Sequence, residues 1–245
     1  MAYRDDEDLT FLAHCSDEEL SALVETLITD KDGEVRYTEA LTNTDEYKKF
    51  QPAHSKYWRN IAAEVQCYGA NTLASMFRGG KGILYREVIS DVCKKMKVNH
   101  PAKASVETLE RNLLMKLFEE AVEKLSANEI KELVGELDLK TTNFTSKAVI
   151  SAIQLAIRTN GILAYKLALI IANGVARALL GHGLAFTTNI TLVRSLSVFA
   201  GPVGLAITGV WTLTDIAGPA YRVTIPAVVQ IACLRAKALA DSQTE

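Results

Sequence analysis

The stretch FRGGKG, which contains Gly79, Gly80, Lys81 and Gly82, has the residue types that best suit ligand binding. Its glycines can turn backbone N–H groups toward an anion, and the lysine adds a positive charge just before a predicted helix. The spacing is not that of a Walker A loop, G-x-x-x-x-G-K-[ST]. The stretch therefore predicts an anion site, with a flexible connection between helices as the alternative that an isolated glycine cluster favours.

No other residues have the spacing of a catalytic or metal site. The four histidines have no partner at ligand spacing, and the sequence has no G-x-S-x-G, H-E-x-x-H or dinucleotide motif. The four cysteines are far apart, which indicates free thiols. A net charge of −2 gives no overall attraction to nucleic acid, and the basic stretches form no platform of interleaved aromatic residues for a single strand. We therefore expect a non-enzymatic protein without cofactor, metal or nucleic-acid partner.

The elements that position these residues are predicted to be helices. Ser16 with Glu19 and Ser126 with Glu129 have the spacing of capping boxes, and Ser105 is a third helix cap. Apolar residues recur after each cap at helical spacing, and no useful alternating strand pattern occurs. The helix after Ser126 should form an antiparallel hairpin with the preceding one. The pattern predicts an all-α multi-helix bundle.

The charges divide the chain into an acidic and a basic half. The first 140 residues hold 19 Lys and Arg against 26 Asp and Glu, a net of −7, whereas the rest hold 8 against 3, a net of +5. Opposite charges predict that the two halves dock together. The cluster Arg4–Asp8 is interpreted as a solvated tail. We divide the chain into a small module at 1–50, an amphipathic helical region at 51–140 and an apolar helical region at 141–245.

The apolar half carries a narrow line of basic residues, Lys166, Arg177 and Arg194, which we call the basic seam. The residues around the basic seam are mostly Leu, Ile, Val and Ala. A helix with so thin a polar face is either packed among several neighbours or lies in lipid. The basic seam should therefore face anionic headgroups or the acidic half of the chain.

Ser195–Thr214 is an uncharged run of 20 residues, long enough to cross a bilayer. Its eight strongly apolar residues favour insertion by about 2–5 kcal/mol in sum, and Asp215 would cost about 2.5–3.5 kcal/mol if drawn to the bilayer centre. Glycine, proline and hydroxyl residues weaken the run further. Because the balance is near zero, the run is not a firm constitutive span, and buried core and conditional membrane association both remain open.

A second uncharged run, Val223–Leu234, follows a Gly-Pro break, which predicts a helical hairpin near 195–235. Asp215 and Arg222 flank the predicted turn and can pair across it. The residues that we assign to this membrane or partner element are Phe199, Gly201, Pro202, Trp211, Asp215, Gly218, Pro219 and Arg222.

Three stretches resemble the YaaW-like family of bacterial proteins. The ending GPVGLAITGVWTLTDIAGPAYRVTIPAVVQIACLR is similar to the ending of that family, and YWRNIAAEVQCYGANTLASMFRGGKGILYREVISDVC resembles its middle region. The opening YRDDEDLTFLAHCSDEELSALVETLITDKDGEVRYTEAL resembles its N-terminal domain of unknown function. The resemblance implies a distant relation to the ubiquinol–cytochrome c chaperone domain, an all-helical assembly factor for a membrane protein, and it implies no catalytic residues.

Two functions follow as hypotheses. The first is a membrane-associated or membrane-responsive helical protein whose apolar hairpin is exposed conditionally and whose partner is an anionic membrane surface. The alternative is a chaperone-like protein that binds apolar helices of membrane-protein clients in a helical groove. The opening residues lack a signal-peptide pattern, so we expect a cytoplasmic location, with the periphery of the inner membrane included. The sequence leaves the oligomeric state open.

Overall fold

A computed structural model describes residues 2–30, 33–36, 39–69, 82–180 and 221–243 of the chain. Nine α-helices lie in these ranges: α1 (Asp17–Ile28), α2 (Asp45–Phe50), α3 (Trp58–Gly69), α4 (Tyr85–Lys95), α5 (Val106–Val122), α6 (Ala127–Glu136), α7 (Ser146–Ala156), α8 (Gly161–Leu180) and α9 (Tyr221–Asp241). A 3₁₀ helix precedes α1 at Glu7–His14, and short 3₁₀ turns lie at Leu41–Asn43 and His54–Tyr57. No β-strand occurs in the described part, so the all-α prediction is confirmed.

The helix starts follow the predicted caps. Ser16 accepts a hydrogen bond from Glu19 N while the Glu19 carboxylate accepts one from Ser16 N, which completes a capping box at α1. Ser126 and Glu129 form the same arrangement at α6, and Ser105 caps α5. These caps satisfy N–H groups that the first turn of a helix leaves without partners. They fix the starts of three helices through contacts between residues only three positions apart.

The predicted hairpin of α5 and α6 differs from the structure. The two helices contact each other less than each contacts α7. Buried residues of α6, Ile130 and Leu133, belong to the same hydrophobic core as Val149 and Ile153 of α7. A short connection alone therefore did not determine which helices pair, since α5 and α6 both pack against α7.

The longest helices, α8 and α9, pack against each other more extensively than any other pair among the described elements. The second uncharged run, from Val223 to Leu234, lies inside α9 and is buried along its whole length. Pro226 sits within the helix, in its second turn. This run is core in the structure. The whole of the first run, together with its turn at Gly218 and Pro219, lies in 181–220, outside the described residues.

The hydrophobic core is continuous from the N-terminal helices to α9. It includes Leu9 and Leu12 of the first 3₁₀ helix, Leu23 of α1, Leu113 of α5 and Ile231 of α9, all fully buried. Residues from all three predicted regions therefore share one core. The boundaries at 1–50, 51–140 and 141–245 stay a prediction.

The acidic cluster Arg4–Asp8 is not a solvated tail, and that interpretation was wrong. Asp6 is buried, and its carboxylate accepts hydrogen bonds from Asp8 N, Tyr85 N and Gln66 Nε2 at 3.1, 2.6 and 3.1 Å. Asp6 thereby caps the first 3₁₀ helix and joins it to α3 and α4. A charged residue tolerates such burial because its oxygens are hydrogen-bonded.

Candidate functional site

A buried ion pair connects the acidic and basic halves of the chain. Glu110 of α5 accepts a hydrogen bond from Arg235 Nε of α9 at 2.7 Å and another from the Tyr85 hydroxyl at 2.8 Å. Arg235 also donates through Nη2 to the Asp8 carbonyl oxygen, and its guanidinium stacks on the Phe11 ring, with 4.3 Å to the ring centroid. The pair therefore ties α5, α4, α9 and the N-terminal 3₁₀ helix together.

The pKa values of this cluster reflect burial opposed by pairing. Burial raises the pKa of Glu110 to about 7, against the opposing effect of Arg235 and the hydroxyl of Tyr85. Burial acts to lower the pKa of Arg235, but the charge of Glu110 outweighs it and leaves that pKa raised. A buried ion pair stabilises a protein only when its groups are fully hydrogen-bonded. Removal of either partner leaves the other charge buried and unpaired, which is destabilising.

Two further contacts join the same faces. Lys237 of α9 pairs with Glu19 of α1 at 2.8 Å, and Gln230 donates from Nε2 to the Thr26 hydroxyl at 2.6 Å. The docking of the two halves, expected from their opposite charges, therefore occurs through Arg235 and Lys237. Sequence reasoning did not select these residues, because both follow the uncharged run at a helix end that resembles an ordinary solvated terminus.

Of the predicted anion site, Gly79, Gly80 and Lys81 lie outside the described residues, whereas Gly82 is described. A Cβ added at Gly82 would clash with the backbone of Gln66, and Ile83 N donates to the Gln66 carbonyl oxygen at 3.2 Å. Gly82 is therefore needed for the close approach of this segment to α3. The anion site itself stays a prediction.

The basic seam and the hairpin residues are only partly described. Lys166 is half-buried, whereas Arg177 and Arg222 are exposed. The remaining predicted residues lie outside the described ranges: Arg194, Phe199, Gly201, Pro202, Trp211, Asp215, Gly218 and Pro219. The pairing of Asp215 with Arg222 also stays a prediction.

An apolar cleft with a volume of about 630 Å³ lies between the α6–α7 connection, α7 and α8. Leu155 and Ile162 stand at its sides with 71% and 51% of their surface exposed. Lys166 of the basic seam also lines it, as do Lys140 and Asp138, which pair with each other at 2.9 Å. Exposed large aliphatic side chains beside a concave surface are typical of sites that bind other apolar groups.

The described residues include no cluster of three His, Cys, Asp or Glu side chains close enough to hold a metal ion. Burial raises the pKa values of Cys15, Cys93 and Cys233 to about 12. A thiol with so high a pKa holds almost no thiolate at neutral pH, so none of these three is suited to nucleophilic chemistry.

These features define an all-α protein with one shared core, an apolar cleft and ionic docking between its halves. Residues 3–37 match a domain of unknown function, DUF3944, and residues 53–229 match the family described as Ubiquinol-cytochrome C chaperone. A UPF0174 protein of Helicobacter pylori strain J99 is 45% identical over 97% of this chain and 94% of its own length. The UPF0174 protein YaaW of Escherichia coli strain K12 is 32% identical over 95% of both chains.

The chain belongs to the UPF0174 family of bacterial proteins, and the YaaW-like resemblance of its sequence is confirmed. The comparison with solved structures found no match. The match to the chaperone family covers α3 to the first half of α9, so it contains the apolar cleft and Glu110 but ends before Arg235 and Lys237.

Proposed function

We propose that this protein is a non-enzymatic, chaperone-like binder of apolar helices in membrane-protein clients. The observation that carries the proposal is the match of residues 53–229 to the Ubiquinol-cytochrome C chaperone family. The apolar cleft lies within that range and exposes Leu155 and Ile162. An apolar helix placed in such a groove buries surface that is unfavourable in water, which is the usual basis of helix-in-groove recognition.

The charges at the cleft suit the ends of a client helix. Lys140 in its lining is paired with Asp138 at 2.9 Å, which leaves Lys166 as the lining cation with no described ion pair. A cation near the C-terminal end of a helix interacts favourably with the helix dipole. The cleft therefore offers an apolar wall for the middle of a client helix and positive charge for its carbonyl end.

Binding of a defined peptide tests this proposal. The probe is a labelled peptide with an apolar helix of about 20 residues, the length that crosses a bilayer. We expect fluorescence anisotropy to show that Leu155→Glu and Ile162→Glu each weaken binding by about tenfold or more, because each places a charge against the apolar contact. Val35→Glu is the matched control, because Val35 is 61% exposed and lies outside the cleft. Equal binding by all three variants would contradict the proposal.

The second function, association with an anionic membrane surface, has its own support. Two described segments, Gly161–Ala178 and Tyr221–Asp241, have the length and hydropathy of membrane-spanning helices, although 61% and 78% of them are buried inside the protein. Buried core helices pass the same test. The basic seam and Ser195–Thr214 would then provide the contact with lipid, at the periphery of the inner membrane.

Vesicle flotation distinguishes the two functions. The chaperone-like proposal predicts that the protein binds the peptide but stays at the bottom of a gradient with phosphatidylglycerol vesicles. The membrane function would be supported instead if the protein floated with these vesicles and did not bind the peptide. Flotation should then be lost in Lys166→Glu and Arg177→Glu.

A further inference from the structure

A second cavity, distinct from the apolar cleft and partly open to solvent, is lined by α5, α8, α9 and the α7–α8 turn. It has a volume of about 380 Å³, and its apolar wall includes Leu114 and Met115 of α5, Leu167 of α8, and Ala232 and Leu239 of α9. Ligand cavities of about 300–1,000 Å³ with mostly apolar walls commonly hold small molecules. We call this the inner cavity.

The inner cavity opens beside a more polar cavity of about 630 Å³, which we call the outer cavity. Arg111, Met115, Ile157 and Arg158 line both cavities, so they stand at the boundary between them. The outer cavity adds Lys97 and Lys116, and Glu119 is the one acidic residue among its described lining residues. Glu119 accepts a hydrogen bond from Gln154 at 2.8 Å.

The two arginines at the boundary are not held in described ion pairs. The acidic residue Glu107 lies one turn before Arg111 on α5, lines the inner cavity and interacts electrostatically with Arg111. Among the described residues, Arg111 and Arg158 make no ion pair within 4.0 Å, although the chain has more acidic than basic residues. Lys116, by contrast, pairs with Glu120 at 3.0 Å. Guanidinium groups bind phosphate and carboxylate through two parallel hydrogen bonds, so a pair of unpaired arginines favours an anion at this boundary.

The inner cavity is also bordered by a buried charged group. Arg235 and Glu110 line it, and their side chains are only 11% and 4% exposed. The described hydrogen bonds of Arg235 use Nε and Nη2 and do not involve Nη1. The cavity therefore combines an apolar wall, a fixed guanidinium in its lining and two arginines at its mouth.

From this arrangement we propose a ligand site for a single-chain anionic amphiphile, with a phosphate or carboxylate head at Arg111 and Arg158 and an acyl chain in the inner cavity. The apolar wall would contact the acyl chain of the ligand, and the two arginines would bind its anionic head group. The site does not depend on client binding at the apolar cleft, which shares only Thr159 and Asn160 with the inner cavity.

Titration calorimetry with probes that share one acyl chain tests the proposal. The probes are an acyl glycerol phosphate, the corresponding fatty acid, the uncharged monoacylglycerol, and inorganic phosphate, each below its micelle concentration. We expect the two anionic amphiphiles to bind about tenfold or more tightly than monoacylglycerol, since a charge-assisted hydrogen bond contributes about that factor. Inorganic phosphate should bind more weakly than either.

Variants assign the binding to this site. Arg111→Gln and Arg158→Gln should each weaken the binding of the anionic amphiphiles about tenfold and leave the affinity for monoacylglycerol unchanged. Ala164→Phe fills the inner cavity from α8. It should weaken the binding of every probe that has an acyl chain and leave the binding of inorganic phosphate unchanged. Arg59→Gln is the matched control, an exposed arginine of α3 that lines neither cavity.

Three outcomes would overturn the proposal. The first is equal affinity for charged and uncharged acyl probes, which would indicate unspecific partitioning. The second is inorganic phosphate that binds as tightly as the amphiphiles, which would make this a free-phosphate site. The third is amphiphile binding that is unaffected by Arg111→Gln, Arg158→Gln and Ala164→Phe, which would place the ligand elsewhere.

Discussion

Glu64 is a buried carboxyl group with incomplete hydrogen bonding. Its Oε1 accepts a hydrogen bond from Ala40 N at 3.0 Å, whereas Oε2 has no hydrogen-bond partner and is shielded from water. Burial raises the pKa of Glu64 to about 7, and the nearby charge of Glu39 also raises it. Because the carboxyl group is easier to protonate in the folded protein than in the unfolded chain, folding is favoured at low pH.

Glu64→Gln should therefore stabilise the protein at alkaline pH. The wild-type contribution of Glu64 is fully present below its unfolded pKa of about 4.3 and is lost as the pH rises through about 7. At pH 8 we expect the variant to have a free energy of unfolding about 1–3 kcal/mol higher, and near pH 4 little change. Urea unfolding at several pH values measures this, with the exposed Glu132→Gln as control. If the free energy of unfolding of Glu64→Gln depended on pH as strongly as that of the wild type, Glu64 would not be the group responsible.

The ion pair between Glu110 and Arg235 gives a prediction for the contact of α5 with α9. Arg235→Met leaves the Glu110 carboxylate buried with only the Tyr85 hydroxyl as partner. Removing one partner of a buried pair costs about 3–5 kcal/mol. We expect this decrease in the free energy of unfolding at pH 8 and a smaller decrease near pH 5. Burial already raises the pKa of Glu110 to about 7, so near pH 5 its carboxyl group is protonated and no charge is left unpaired.

The controls for this prediction lie on the same two helices. Arg222→Met changes an exposed arginine of α9 and should cost less than about 0.5 kcal/mol. The double variant Glu110→Gln/Arg235→Met should recover part of the loss at pH 8, because no charge remains buried. A double variant as unstable as the sum of the two single variants would mean that the residues do not interact.

The local parts of the fold could be predicted from sequence, whereas the contacts between distant elements could not. The capping boxes at Ser16 and Ser126 join residues three positions apart, so the sequence contains both partners within one turn. Glu110 and Arg235 are 125 positions apart. The sequence contains many other acidic and basic residues, and their charge alone does not indicate which two form a pair. The charge division predicted that the halves dock but not which side chains make the contact.

The candidate sites show the same limit. The apolar cleft depends on Leu155 and Ile162, which the periodic pattern of α7 and α8 did not distinguish from core leucines and isoleucines. Their exposure follows from how α6, α7 and α8 pack, which is a tertiary property. Gly82 was selected for its N–H group, but its close approach to Gln66 depends on a neighbouring helix that the sequence does not identify.

The single hydrophobic core predicts how the whole molecule unfolds. Leu23 of α1 is fully buried in the same core as Ile231 of α9, and Gln230 bonds to Thr26 across that contact. Leu23→Ala should lower the free energy of unfolding by about 2–5 kcal/mol through the cavity that it creates. Because the core is shared, amide exchange in α9 should accelerate as much as exchange in α1. Hydrogen exchange under native conditions measures both, and the exposed Leu239→Ala is the control. If only α1 loses protection, the N-terminal residues form a separate cooperative unit that the continuous core does not couple to α9.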